Sequence, residues 1–548
     1  MGMRSAYDLG MRRLLLAPCA FVLAAAACEQ SSTSSSAPPE GEGTSPIDGD
    51  GVSTPSPGEA DPTREDASVS QSKPLACVTN RSDGGSPDIS VSVDGSRGPH
   101  GAAPAKVDPR RLVGMNIADW RPQDYMPKVD PAFGAYLKGL RPGALRWPAG
   151  HRSQEYNGER GGGGQSGDWT LTAAHVDAFV ALAKSVSAEP VIALNVKRGT
   201  PAAAADLVRY LNVEKKYGVH WFLVGNEPDL TDGVIASPEA YAQKYVAFAD
   251  AVRGVDPSAK LIAPELLTGA HVNGAHGRPD WLTPTLVAAP GKVDGMSWHY
   301  YPLDSGQSNP TSSAIMSVPH LFQETAPDWR PASIAYVDEV MPALKAASDA
   351  HAPNAGVWIT EFAEDPGPGA GAGISDTVAG ALWVGDALGR YAEYAPAAIF
   401  RWVFRTVAEH GYGLIDKDAL PRPAYGAYWL YGREMGDRYV AAVSSSKTDV
   451  AVHASLRPDG GLAIMLVNKT ESAKRVHLDI EGFCVGTASE ITLTGDGYGS
   501  TSFTLGGQAV TPSTVETIST SAVGDDRLFD VEVPGTSVHV IVYQPPTS

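Results

Sequence analysis

Between Val107 and Leu430, short runs of β-branched and apolar residues alternate with longer stretches whose apolar positions recur at helical spacing. Repeated βα units produce that alternation, because a strand buried on both faces reads as a continuous apolar run while its covering helix repeats near 3.6 residues. The strand candidates are Leu112 to Ile117, Ala144 to Trp147, Pro190 to Val196, Trp221 to Gly225, Leu261 to Glu265, Gly295 to Tyr301, Val357 to Glu361 and Ala397 to Phe404. Helices fill the gaps. In Pro238 to Val252, Tyr241, Tyr245, Phe248 and Val252 form one stripe, and Ser237-Pro238 supplies an N-cap followed by proline at the first helical position. Pro331 to Ala350 repeats the pattern with Ile334, Val337, Met341 and Leu344. Eight such units over about 300 residues predict an α/β fold, a (β/α)8 TIM barrel with inserted loops. The competing architecture is an open doubly wound sheet, but no glycine-rich phosphate turn follows the first strand. Gly161 to Gly164 lacks the Gly-Lys-Ser/Thr of a phosphate loop and reads as a flexible connection.

After about Gly436 the period changes to short alternating strands separated by Gly, Asp and Ser, such as Leu462 to Val467 and Val538 to Tyr543. A C-terminal β-sandwich domain of roughly 110 residues is the expected form. It carries no concentrated set of ionisable or metal-binding residues, so a structural or modest substrate-binding role is expected of it.

The N-terminus has the order of an export signal: Arg12 and Arg13, the apolar run Leu14 to Ala27, then Cys28. The run is shorter than the roughly 20 residues that span a bilayer. Ala25-Ala26-Ala27-Cys28 resembles a lipobox, which implies lipidation of Cys28 and a bacterial surface or outer-membrane lipoprotein; simple cleavage and secretion is the alternative. Met11 is a second candidate start. From Glu29 to about Lys73, Ser, Thr, Pro, Gly and acidic residues dominate, a composition that buries too little apolar area to offset its ordering entropy. A flexible tether is expected there. With Cys19 in the signal and Cys28 lipidated, Cys77 and Cys484 remain, and an exported chain is expected to join them in a disulfide. That bond would lay Ile89 to Val93 against the C-terminal domain. The resulting divisions are a signal at 1–28, a tether at 29–74, a strand segment packing on the sandwich at 75–106, a barrel at 107–435 and a sandwich at 436–548.

A formal net charge of −19 argues against binding phosphate backbones, so no nucleic-acid partner is expected. In a barrel of this kind function gathers where strands end at the C-terminal face. Two glutamates stand there. The fourth strand candidate runs into Gly225-Asn226-Glu227-Pro228 and the seventh ends Thr360-Glu361-Phe362. Hydrolysis of a glycoside with retention takes two carboxyl groups about 5–5.5 Å apart, one protonating the leaving oxygen and one attacking the anomeric carbon. Glu227 is the candidate general acid/base and Glu361 the candidate nucleophile.

Gly225-Asn226-Glu227-Pro228 resembles the acid/base signature of clan A glycoside hydrolases, and Thr360-Glu361-Phe362 resembles that clan's nucleophile strand. The resemblance implies that Asn226 contacts the sugar 2-hydroxyl. Ser297-Trp298-His299-Tyr300-Tyr301-Pro302 adds a third match: the clan places a His and a Tyr two residues apart on the sixth strand, with the Tyr bonding the nucleophile. Strand alternation puts His299 and Tyr301 on one face, so they inherit these roles. Arg146-Trp147-Pro148-Ala149-Gly150, followed by Tyr156-Asn157, resembles the Arg-Trp-Gly-Gly pattern of glycoside hydrolase family 44, endoglucanases and xyloglucanases, with Pro148 and Ala149 departing from it. The heparanase-like β-glucuronidases of family 79 are similar around Gly225 to Leu230 and also carry a C-terminal β-domain.

Arg146 and Asn157 are candidate substrate contacts, with a buried ion pair among strand ends the alternative for Arg146. Trp147, Trp298 and Trp402 lie near strand ends, where an indole can stack on a pyranose or pack in the core. Glu265 ends the fifth strand as a substrate contact or a structural hydrogen-bonding group. Glu364 and Asp365 are expected to be solvated loop residues. A uronate reader would draw on Arg152, Lys197 and Arg198. His299 has no His or Cys beside it at metal-ligand spacing, so hydrogen bonding is expected of it. The long connection Leu303 to Trp329 is expected to shape the cleft. Together these readings predict a retaining hydrolase of β-glycosidic bonds in a polysaccharide. An exo-acting β-glucuronidase, an arabinofuranosidase-like enzyme and a non-catalytic carbohydrate-binding lipoprotein are the alternatives. The expected partner is a carbohydrate, with no cofactor and no metal, membrane contact only through the lipid anchor, and a monomeric chain.

Overall fold

The structure, a computed structural model, describes Cys77 and residues 86–117, 131–158, 169–230, 233–272, 274, 278–303, 321–324, 334–365, 374–406 and 412–546. The signal, Cys28, the tether and Gly161 to Gly164 lie outside the described residues. So does most of the connection Leu303 to Trp329. Among the described residues no helix is long and apolar enough to cross a membrane.

Strand β1 (Ile89–Asp94) comes first. Eight strands build the barrel: β2 (Gly114–Asn116), β3 (Ala144–Trp147), β4 (Glu189–Leu194), β5 (Trp221–Val224), β6 (Lys260–Leu266), β7 (Gly295–Tyr300), β8 (Gly356–Phe362) and β9 (Ala398–Arg401). They pair in parallel from β2 round to β9 and close β9 onto β2, making a (β/α)8 barrel. Among the described residues an α-helix follows each: α1 (Pro131–Leu140), α2 (Ala173–Ser185), α3 (Pro201–Val208), α4 (Pro238–Val255), α5 (Leu282–Ala288), α6 (Val337–His351), α7 (Val378–Ala392) and α8 (Pro423–Arg433). The barrel is filled rather than hollow, as small barrels are. Ala144, Val191, Ala193, Leu223, Ile262, Trp358, Ala398 and Phe400 form a cluster inside it, and the outward residues join the helices in the main core.

Local chemistry moves some boundaries. Leu112 belongs to a helical turn, Pro109–Leu112, rather than to β2, because Asp108 caps that turn by accepting from the Arg110 N–H and Pro109 opens it. In the stretch Pro331 to Ala350, α6 begins at Val337 after a 3-10 turn at Ile334–Tyr336.

The C-terminal strands are β10 (Arg438–Ser444), β11 (Val450–Leu456), β12 (Leu462–Asn468), β13 (Lys474–Glu481), β14 (Thr487–Thr494), β15 (Asp530–Val533) and β16 (Ser537–Gln544). They form a mostly antiparallel β-sandwich in the order β14-β16-β12-β11-β10-β1-β13-β15. β1 is the parallel exception: it pairs with β13 through Val91 and Leu478, and antiparallel with β10 through Val91 and Ser444. Cys77 and Cys484 are joined by a disulfide.

β12 is buried on both faces. Leu462, Ile464 and Leu466 point into the sandwich core, whereas Ala463, Met465 and Val467 join the barrel's core. Its partner across the boundary is α7, which approaches closely because Gly385 has no side chain; a Cβ there would sit 3.3 Å from Val467 Cγ2, and one at Gly389 would sit 2.1 Å from the His453 ring on the neighbouring β11. Buried charges line the same boundary. The His453 ring lies between Asp386 and Glu393, 3.2 Å from each, and Lys469 Nζ is 2.7 Å from Asp386.

Candidate active site

The chain turning out of β5 carries Gly225 at φ +120 and Glu227 at φ +47. Glycine is required at 225, since its φ is one that L side chains avoid and a Cβ would lie 2.8 Å from Val196 Cγ1. Glu227 is strained instead, at a cost of about 1–3 kcal/mol for a non-glycine residue in the left-handed region. Its N–H donates to the Glu265 carbonyl at 2.8 Å, so the turn is fastened to the next strand.

Glu361 reaches the same cavity by a different device. Trp358 faces the barrel interior, and simple alternation would send Glu361 outward. Between the pairs Trp298–Ile359 and His299–Glu361 the register slips by one residue. That bulge turns Glu361 inward.

One oxygen each of Glu227 and Glu361 and one ring nitrogen of His299 lie within 4.8 Å of one another. Tyr301 Oη donates to Glu361 Oε2 at 2.5 Å. His299 Nδ1 is 2.9 Å from Glu227 Oε1 and 3.6 Å from Glu361 Oε2. Beneath them the Arg146 guanidinium is fully buried. Its Nη1 donates to Asn116 Oδ1 at 2.7 Å and Glu361 Oε1 at 2.9 Å. Its Nη2 donates to Asn226 Oδ1 and Glu265 Oε2, both at 2.8 Å. Asn116 in turn donates to the Thr360 and Arg401 carbonyls, tying β2 to β8 and β9. Three donors so close could hold a cation, but the guanidinium on Glu361 already supplies positive charge there.

Burial raises the Glu227 carboxyl, yet the His299 hydrogen bond and charge outweigh burial and hold it down at about 2. Burial lowers His299, and the charge of Glu361 together with the bond to Glu227 lifts it above its ordinary value. The proton of this pair therefore sits on the imidazole. Glu265 is raised because burial outweighs Arg146. One guanidinium cannot fully compensate two buried carboxylates.

Glu227 and Glu361 are 6% and 3% exposed, leaving each an edge open to the cleft. His151 stands on the solvent side, its side chain 61% exposed and its Nε2 3.8 Å from Glu227 Oε2. Trp402, 6% exposed, lies over Gly150, the residue before His151. Asn226 Nδ2 is buried with no hydrogen-bond partner among the described residues.

Two expectations require correction. Trp147 and Trp298 are not sugar platforms. Each neighbours an inward residue on a strand of period two and therefore points outward: Trp147 stacks on Phe179 of α2, and Trp298 packs beside Tyr336 and Tyr391, both indoles fully buried. Glu364 and Asp365 are not solvated, because both are fully buried and Glu364 Oε2 is 2.7 Å from Arg401 Nη2. Of the uronate candidates, Arg152 pairs with Glu155 at 3.4 Å, while Lys197 is buried and its charge bears on Glu227. The Asn157 side chain lies outside the described residues. Asn116 and His151 were not singled out in the sequence. Asn116 carried a signal, a polar residue near the end of an apolar strand candidate; His151, in a loop, carried none.

No protein family and no curated protein matches the chain in sequence. Solved structures do match. A bifunctional glucanase-xylanase from a metagenome library, CelM2, aligns with TM-score 0.59 at 17% identity over 84% of this chain and 100% of its own. A xyloglucanase of Paenibacillus polymyxa from glycoside hydrolase family 44 gives 0.59 at 16%, over 83% of this chain and 99% of its own. The GH51 arabinofuranosidase of Xanthomonas axonopodis pv. citri gives 0.61 at 18%, over 84% and 100%. The likeness is one of fold. Barrel and sandwich together are shared with these proteins, at identities too low to carry an activity across.

Proposed function

We propose that this protein is a retaining glycoside hydrolase in which Glu361 attacks the anomeric carbon and Glu227 serves as general acid and then general base. The separation of the two carboxyl groups carries the reading. Oxygens within 4.8 Å of each other fit the spacing of about 5–5.5 Å between the carboxyl groups of retaining enzymes and fall short of the about 6.5–9.5 Å of inverting ones.

The resting proton on His299 is compatible with acid catalysis at Glu227. As Glu361 bonds to carbon its negative charge disappears, and with it the main influence holding the proton on the imidazole. The proton then passes through Glu227 to the departing oxygen, leaving a neutral imidazole beside an ionised Glu227. In the second half, a water gives its proton back to the pair while its oxygen displaces Glu361 from the sugar, and the starting state is restored. Arg146 and Tyr301 hold the Glu361 carboxylate in place. The unpartnered Asn226 amide suits a sugar hydroxyl, and the Trp402 ring suits the floor beneath the sugar.

The substrate we infer is a β-linked plant or microbial polysaccharide attacked in endo fashion, a reading supported by the family 44-like motif Arg146-Trp147 and the shared fold. The buried Lys197 cation near Glu227 favours a uronide as the second choice. The lipobox-like Cys28 and a disulfide suited to an oxidising compartment support an exported, lipid-anchored chain. The test is to follow an aryl glycoside by NMR, after a substrate panel selects the sugar. The first-formed product should keep the anomeric configuration, and Glu227→Gln should lower turnover about 10²–10⁴-fold, with Glu361→Gln at least as severe. An inverted product, or near-normal turnover in either variant, contradicts the proposal.

A further inference from the structure

The acid/base glutamate occupies a strained backbone position, and a nearby pair outside the cleft holds that turn in place. Two residues beyond Glu227 in the same turn, the Asp229 carboxylate is fully buried. Both of its oxygens accept from the Leu267 N–H, at 2.9 and 3.1 Å, and Oδ2 also lies 2.6 Å from His271 Nδ1. Leu267 directly follows β6, and His271 closes the 3-10 turn Gly269–His271 just beyond it. The His271 carbonyl accepts from the Trp281 N–H at 2.9 Å, so that turn is braced from behind by the residue preceding α5.

The Glu227 turn is therefore fastened to the end of β6 at two places. Upstream, the Glu227 N–H bonds to the Glu265 carbonyl at 2.8 Å. Downstream, Asp229 grips Leu267 and His271. Between these points the Leu230 N–H closes back on the Glu227 carbonyl at 3.1 Å, so a shift of Asp229 is transmitted to residue 227 through a short, hydrogen-bonded stretch. His299 and His151 approach the carboxylate itself, but neither fixes the backbone that carries it.

We propose that the Asp229–His271 pair is a positioning clamp for the general acid, setting where the Glu227 carboxyl meets the leaving oxygen without touching substrate. The inference rests on the hydrolase reading above. It predicts a defect confined to proton donation. Glycosides whose leaving group needs no proton should be cleaved almost normally, whereas those that need one should not.

The experiment compares kcat/KM, which reports the first half-reaction alone, for dinitrophenyl and phenyl glycosides of the sugar the wild-type protein turns over fastest. Asp229→Ala and His271→Ala should lose about 10- to 100-fold on the phenyl glycoside and less than about 3-fold on the dinitrophenyl one, the scale of a displaced catalytic group. His271→Asn, which keeps an N–H near the Nδ1 position, should recover most of the loss. Should Asp229→Ala fail to fold, Asp229→Asn keeps the shape with a weaker grip and should show the same selective loss in smaller measure. Equal losses on both substrates, or no loss on the phenyl glycoside, overturn the clamp while leaving the hydrolase reading standing. A wild type that cleaves no aryl glycoside overturns the hydrolase reading and the clamp with it.

Discussion

Replacing Arg146 by methionine isolates the electrostatic core of the site. The substitution removes one guanidinium that bonds four acceptors, Asn116, Glu361, Asn226 and Glu265, at 2.7–2.9 Å. Four charge-assisted hydrogen bonds at about 1.5–3 kcal/mol each would suggest a loss that few folds survive. The sum overshoots, because Glu265 can escape by taking up a proton. Burial already holds it above its ordinary 4.5, and without Arg146 it rises further. Protonating a carboxyl that would otherwise be ionised costs about 1.4 kcal/mol per pH unit above its unfolded value, hence about 3.4 kcal/mol at pH 7 and about 0.7 at pH 5. A group whose folded pKa is raised contributes stability that is present below its unfolded value and lost as pH rises. Arg146→Met should therefore be destabilised by about 3–5 kcal/mol at pH 7, in line with breaking a buried ion pair, and the deficit should shrink by up to about 2.7 kcal/mol at pH 5. Guanidinium unfolding of both proteins at the two pH values measures this. An equal deficit at both values, or none at pH 7, would mean that Glu265 does not take up a proton when the guanidinium is lost.

Other contacts carry further expected outcomes. His299→Gln leaves the Glu227 carboxyl as sole carrier of the catalytic proton; because His299 titrates above its ordinary value, the alkaline limb of kcat/KM should move to lower pH, and an unmoved limb contradicts the shared-proton mechanism. Trp402→Ala should raise KM or lower kcat/KM about tenfold, as expected for a lost aromatic platform, whereas Trp147→Phe should lower thermal stability with KM unchanged. For His453, burial acts downward but the bonds to Asp386 and Glu393 raise it overall, so its stabilisation is complete below about pH 6.5 and fades as pH rises through the folded value. His453→Gln should consequently cost about 3 kcal/mol near pH 6 and markedly less at pH 9 in thermal melts, and a pH-independent cost would count against this.

The barrel was readable because its strands are buried on both faces and appear as uninterrupted apolar runs, with Glu227 and Glu361 breaking two of them at the end where function gathers. Alternation placed His299 and Tyr301 together, and the same rule applied one residue earlier points Trp298 outward; Trp147 beside Arg146 is the parallel case. What local pattern cannot show is a register slip or a partner on another strand. Glu361 faces inward only because β8 bulges against β7. Glu364 looked like a loop residue because Arg401, which draws it into the interior, is distant in sequence. Asp229 gave no signal for the same reason, since its grip on His271 depends on how two consecutive loops meet.

The proposed mechanism turns on a covalent bond between Glu361 and sugar. Incubation with a 2-fluoro glycoside bearing an activated leaving group, followed by peptide mass spectrometry, should find one fluorosugar per chain on the peptide containing Glu361, with activity lost in step and Glu361→Gln unlabelled. An inactivated protein carrying its label on another residue, or continued turnover of the natural substrate by a chain that the reagent never modifies, would contradict it.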